Sequence, residues 1–229
     1  MDELIETIKR WIEKYFAILP FERKGVYAKM MTEPDKTMAS EAKKTGFMIG
    51  LKDVLVGITP ILAFALIILV FASVAIVAIL AYVGQVDALA PYVAPALGIT
   101  GACFIAYILF VVIGWIFNTL IVHLIAKLLG GKGSFGKMLG ILGTLGATNG
   151  LFAIPMIFIS IIPIIGQVAM LVSIYSIYLE YRAIRAVHGI DRNKAIVTVA
   201  IPIIIGLMIF MAFYVMYALM IVAAGFASD

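Results

Sequence analysis

Two ionisable side chains, His123 and Glu180, stand near the ends of long apolar runs of this chain. An imidazole facing a carboxylate is a common pair for moving a proton, which makes them a candidate interfacial pair. The plainer reading is that each is separately solvated, with its charged tip reaching water. A second group is polar and uncharged. Asn118 lies nine residues before Lys127 and Asn149 twelve residues after Lys137. At 1.5 Å per helical residue they sit about 14 and 18 Å from those charged ends. With Thr119, Thr144, Thr148, Ser173 and Ser176 they define a polar layer at mid-depth. Its chemistry would be hydrogen bonding between helices or the lining of a solute path.

The loop GGKGSFGKM imitates the start of a phosphate-binding loop, with Gly131, four residues, Gly136 and Lys137. Met138 occupies the position where Ser or Thr would reach magnesium, and the loop follows an apolar helix instead of a strand, so nucleotide binding is rejected. No nucleophile is spaced with a base and an orienting group, and no His or carboxylate cluster has metal spacing. Cys103 is the single cysteine, which excludes an internal disulfide and a Cys-based metal site. The expectation is a protein without catalysis and without a cofactor.

The elements that position these residues follow from composition. Of 229 residues 64% are hydrophobic and 13% charged, about half the charge of an ordinary soluble domain. Water would not tolerate that much apolar surface, so lipid must be the solvent for most of the chain. Uncharged stretches set the crossings, since a helix needs about 20 apolar residues to span the hydrocarbon. Spans are expected near residues 54–83, 97–127, 137–162, 167–187 and 194–226, with Pro91 and Pro95 in an irregular segment before the second. Pro163, Gly166 and Gln167 would form the turn between the third and fourth. The fold class is therefore all-α, a polytopic bundle of five transmembrane helices over 53–229, preceded by a cytoplasmic region over 1–52.

All seventeen Lys and Arg residues fall on one side of this threading. Ten lie between Lys9 and Lys52; Lys127, Lys132 and Lys137 sit between spans two and three, and Arg182, Arg185, Arg192 and Lys194 between spans four and five. The positive-inside rule makes that side cytoplasmic, with the N-terminus inside and the C-terminus outside. Ten bases against nine acids through Asp53 leave the N-terminal region nearly neutral, which gives no support for nucleic acid as a partner.

Within that region, residues 2–19 place Leu4, Ile5, Ile8, Trp11, Ile12, Tyr15, Phe16 and Leu19 at helical spacing, an amphipathic helix closed by Pro20. Trp11, Tyr15 and Phe16 suit a helix lying on the membrane surface; packing on the ends of the bundle is the alternative. A short helix is expected over 34–45, with Pro34 in its first turn. In the third span Gly136, Gly140, Gly143, Ala147 and Gly150 recur at steps of three and four, a stripe that lets another helix backbone approach closely.

The stretch HLIAKLLGGKGSFGKMLGILG, followed by YRAIRAVHGIDRNKAIVTVAIP, resembles the core of the Yip family, the Ypt/Rab-interacting multi-span membrane proteins, in its prokaryotic form. The upstream MMTEPDKTMASEAKK is similar to the short helix before the first span of such proteins. The resemblance implies five spans with a cytoplasmic N-terminus, and a role of the kind its eukaryotic relatives have in vesicle trafficking and membrane shaping. This chain lacks the Asp-Leu-Tyr-Gly-Pro motif of those relatives, and a prokaryotic cell membrane is the home the resemblance implies. The expected role is a scaffold or adaptor whose partners are the lipid bilayer, a membrane or cytoplasmic protein and a second copy of the chain. A permease, or an accessory subunit of a transporter, built on the polar layer is the alternative.

Overall fold

A computed structural model describes residues 2–84, 90–160 and 166–226, and every regular element among them is an α-helix. In chain order these are α1 (Asp2–Ala17), α2 (Lys24–Thr32), α3 (Pro34–Lys44), α4 (Phe47–Tyr82), α5 (Ala90–Leu128), α6 (Phe135–Ser160), α7 (Gly166–His188) and α8 (Arg192–Phe226). Three of them, α4, α5 and α8, are long and apolar enough to cross a membrane. Their outer surfaces are apolar over many turns, as at Leu66 to Ile79 of α4 and Ile203 to Ile221 of α8, where side chains face outward with no protein over them. In water that exposure would be prohibitive; against lipid it costs nothing.

Helix α6 is the axis of the packed part. From Met138 to Phe152 nearly all its side chains are buried, including Met138, Ile141, Leu145, Ala147 and Leu151, because α4, α5, α7 and the short helices α2 and α3 surround it. The expected third and fourth spans correspond to α6 and α7. The turn residue Pro163 lies outside the described residues, while Gly166 and Gln167 already belong to α7.

Two helix starts and one whole helix differ from the expectation, each for a local reason. Helix α5 starts at Ala90, before the expected Leu97, and takes in both prolines. Pro91 falls in the first turn, where its missing N–H would have had no partner anyway, and Pro95 loses one bond just beyond it. Helix α4 starts at Phe47 and runs through Lys52 and Asp53, since Asp53 has partners inside the protein. It also passes Pro60 without a break: the Val56 carbonyl that Pro60 leaves free accepts the Thr59 hydroxyl at 2.7 Å. Helix α2 was not expected at all; its stretch KGVYAKMMT has weak periodicity, and its burial of Tyr27, Ala28, Met30 and Met31 against other helices is what makes it a helix.

Helices α1 to α3 form a headpiece on one end of the bundle. Ile12 and Phe16 of α1 pack with Tyr27, Ala28 and Met31 of α2 and with Ala147, Leu151 and Phe152 of α6. Met30 and Met38 join Val122, Met138, Leu142, Leu179 and Ile184 in a second cluster that ties α2 and α3 to α5, α6 and α7.

Candidate functional site: the headpiece and its buried charge cluster

The headpiece is locked by a cluster the sequence did not reveal. Asp53 of α4 is buried to 1% exposure. Its carboxylate accepts hydrogen bonds from the Tyr27 hydroxyl at 2.8 Å and the Thr144 hydroxyl at 2.6 Å, and pairs with Arg23. Arg23, just before α2, also pairs with the buried Glu41 of α3. One guanidinium therefore joins two carboxylates and, through them, α3, α4 and α6. Burial and the neighbouring Asp53 carboxylate push the Tyr27 phenol well above its ordinary range, so it stays a donor. A further pair, Arg182 with Asp35, fastens α3 to α7. In an interior of low polarity such charges persist only when every member is partnered, as here.

On either side of Asp53, α4 and α6 run side by side on glycine. An added Cβ at Gly50 would stand 2.7 Å from the Leu139 carbonyl oxygen and 2.8 Å from the Gly140 Cα; one at Gly57 would stand 2.8 Å from the Ala147 Cα. Of the expected stripe, Gly140 faces Thr45 and Gly46, Gly143 faces Gly50, and Ala147 and Gly150 face Gly57, whereas Gly136 has open space. The stripe thus has a mate, Gly46, Gly50 and Gly57, at steps of four and seven at the cap and along the first turns of α4. The close backbones bring Thr144 within reach of Asp53.

The expected polar layer is divided. Ser176 donates to the Asn149 side-chain oxygen Oδ1 at 3.1 Å, and one turn further along α7 the Asn118 side chain hydrogen-bonds Glu180. Thr119 bonds its own helix at the Trp115 carbonyl, Thr148 bonds the Thr144 carbonyl, and Thr144 turns to Asp53. Ser173 lies on α7 three residues before Ser176. Two separate pairs on one face of α7 replace the single layer, since the hydroxyls find backbone or carboxylate acceptors closer than one another.

His123 and Glu180 do not meet. His123 Nδ1 lies 3.3 Å from His188 Nε2, with the two rings 4.9 Å apart, and Glu180 is engaged by Asn118. His188 is buried to 2% exposure and its Nδ1 has no hydrogen-bond partner among the described residues. Burial, then the proximity of His123 and Lys127, holds the His188 imidazole down to about 4, so it is neutral. Gly189, with φ +64°, ends α7 immediately after it, and the His188 carbonyl accepts the Lys132 amide at 3.0 Å, fixing the glycine-rich loop against this corner.

The three aromatic residues assigned to a membrane-surface helix separate. Phe16 is 1% exposed among Tyr27 and Phe152, a core residue and not a surface one, because α2 and α6 supply it with apolar partners. Tyr15 is half-buried and donates its hydroxyl to the Leu151 carbonyl at 2.6 Å. Trp11 is half exposed, stacked on Tyr15 and edge-on to Phe152, and Leu4, Ile5 and Ile8 extend its apolar surface outward. Among the described residues no group of three or more His, Cys, Asp or Glu side chains is placed to hold a metal.

No curated protein and no solved structure matches the chain. The family model of the Yip1 domain matches residues 53–226, from the buried aspartate of α4 to the end of α8. That match covers the helical bundle from the seventh residue of α4 onward and leaves out the headpiece that docks on it; the chain is a membrane protein of the Yip1 domain family.

Proposed function

We propose that the chain is a non-enzymatic membrane scaffold that carries the headpiece on the cytoplasmic side and offers it to a lipid surface or a protein partner. One observation carries this reading: α1 docks through Ile12, Tyr15 and Phe16 while Leu4, Ile5, Ile8 and Trp11 remain uncovered on its outer face. A helix held rigidly on the bundle with an apolar strip turned out is suited to insert that strip into the headgroup region or to receive another helix. The placement of every base on one side of the threading supports a cytoplasmic headpiece.

Reconstituted protein tests the proposal. Wild type is expected to deform liposomes or to retain a partner on co-purification, and Trp11→Glu to lose that property while the bundle stays folded, since Trp11 is half exposed. If Trp11→Glu behaves as wild type in both assays, the outer strip of α1 is not the working surface. The permease alternative draws less support: Asn118 and Asn149 are each taken up by a partner on α7.

A further inference from the structure

Helices α7 and α8 leave between them an open groove of about 660 Å³. One end is cationic, with Arg182, Arg185 and Arg192, and the walls beyond are apolar, with Ile174, Ile177 and Ile203. From Arg192 to Ile203 the α8 wall is about 16 Å long at 1.5 Å per residue, which accommodates much of one acyl chain. Arg182 is committed to Asp35. Among the described residues Arg185 and Arg192 have no carboxylate partner; the adjacent Asp191 accepts the Lys194 amide at 2.9 Å as the start of α8. Arg185 is also positioned in advance: it donates to the Tyr181 hydroxyl at 3.0 Å and its guanidinium lies 5.7 Å from the centre of that ring.

We propose that this groove binds one anionic phospholipid, its phosphate against Arg185 and Arg192 and one acyl chain along Ile174, Ile177 and Ile203. The occupant follows from complementarity. A free phosphate would leave the isoleucine wall bare, and a neutral lipid would leave two guanidinium groups unanswered; an anionic lipid satisfies both ends at once. Guanidinium groups suit the phosphate because they present paired donors in a fixed fork. Basic pockets between membrane helices are recognised sites for such headgroups.

The test uses the purified full chain in detergent with dimyristoyl-phosphatidylglycerol and dimyristoyl-phosphatidylcholine as probes, bound lipid being counted by native mass spectrometry. Wild type is expected to hold one phosphatidylglycerol on the order of tenfold more tightly than phosphatidylcholine, the preference expected of two basic groups. Arg185→Gln with Arg192→Gln removes the preference, Arg185→Lys with Arg192→Lys retains part of it, and inorganic phosphate does not displace the lipid. Lys132→Gln with Lys137→Gln, which removes two cations elsewhere on the same side, leaves it intact. Equal binding of the two lipids by wild type overturns the proposal, as does displacement by phosphate. An equal loss in the lysine variant also overturns it, because the attraction would then be diffuse charge.

Discussion

Thr144 donates its hydroxyl to the Asp53 carboxylate across the α4–α6 seam, at 2.6 Å. That contact joins two features that are separate in sequence, the glycine pairing of α4 with α6 and the ion cluster that holds the headpiece. Backbones kept apart by ordinary side chains would leave Asp53 without this donor, and the headpiece would rest on a carboxylate with fewer partners.

Replacing Asp53 by Ala strands Arg23 with Glu41 alone and leaves the Tyr27 and Thr144 hydroxyls without their acceptor. Breaking a buried pair from one side costs about 3–5 kcal/mol. The expected outcome is release of α1 to α3, read as faster trypsin cleavage at Lys24 and Lys29 together with a lower melting temperature in detergent. Thr144→Val removes one donor only and should cost about 1–2 kcal/mol. Equal protease resistance in wild type and Asp53→Ala would show that apolar packing alone holds the headpiece.

The glycines divide into those that must be glycine and those that need not be. A Cβ at Gly50 meets backbone atoms of Leu139 and Gly140 at under 3 Å, and one at Gly143 meets the Gly50 backbone. Gly50→Ala and Gly143→Ala should each destabilise by about 1–3 kcal/mol, the cost of overpacking where the neighbour cannot yield. Gly146 lies on the same helix with nothing within reach, and Gly146→Ala should stabilise by about 0.5–1 kcal/mol through reduced backbone entropy. Thermal melts of the three variants decide it; a uniform response would mean that the seam is looser than described.

Particular residues show what was legible in the sequence. The runs that became α4, α5 and α8 announced themselves by length and by missing charge, and the Gly140–Gly150 stripe by its spacing. Its mate at Gly46, Gly50 and Gly57 was hidden, because Lys52 and Asp53 interrupt that stretch and drew the boundary of the first span to residue 54. Asp53 had no visible role, since its partners Arg23, Tyr27 and Thr144 are 26 to 91 residues away. Likewise His123 finds His188 at a separation of 65 residues. Periodicity reports what a helix does to itself and its solvent; it is silent on which distant polar group a fold delivers.

His188 gives a pH dependence whose sign is fixed. The imidazole titrates near 6.5 in an unfolded chain, and in the folded protein burial and the nearby His123 and Lys127 hold it down to about 4. Between those values the unfolded chain takes up a proton that the native chain refuses, so stability falls as pH is lowered from about 6.5 toward about 4. The loss from this group is about 3 kcal/mol. His188→Asn cannot titrate, so the difference between wild-type and variant stability should change with pH in that window. Parallel curves would mean that the buried pair accepts a proton without penalty.

Phe16 and Trp11 lie five residues apart on α1 and should respond in opposite ways. Phe16, 1% exposed between Tyr27 and Phe152, is expected to cost about 3–5 kcal/mol on replacement by Ala, because the cavity is walled by three helices and cannot collapse. Trp11 is half exposed, so Trp11→Ala should leave the melting temperature of the detergent-solubilised protein nearly unchanged. Tyr15→Phe removes only the hydrogen bond to the Leu151 carbonyl and should cost about 1 kcal/mol. The same three variants separate anchoring from presentation in liposome binding: Phe16→Ala loses both stability and binding, Tyr15→Phe weakens both slightly, and Trp11→Ala loses binding alone. A Trp11→Ala protein that melts early would place Trp11 among the anchors and leave α1 without a free working face.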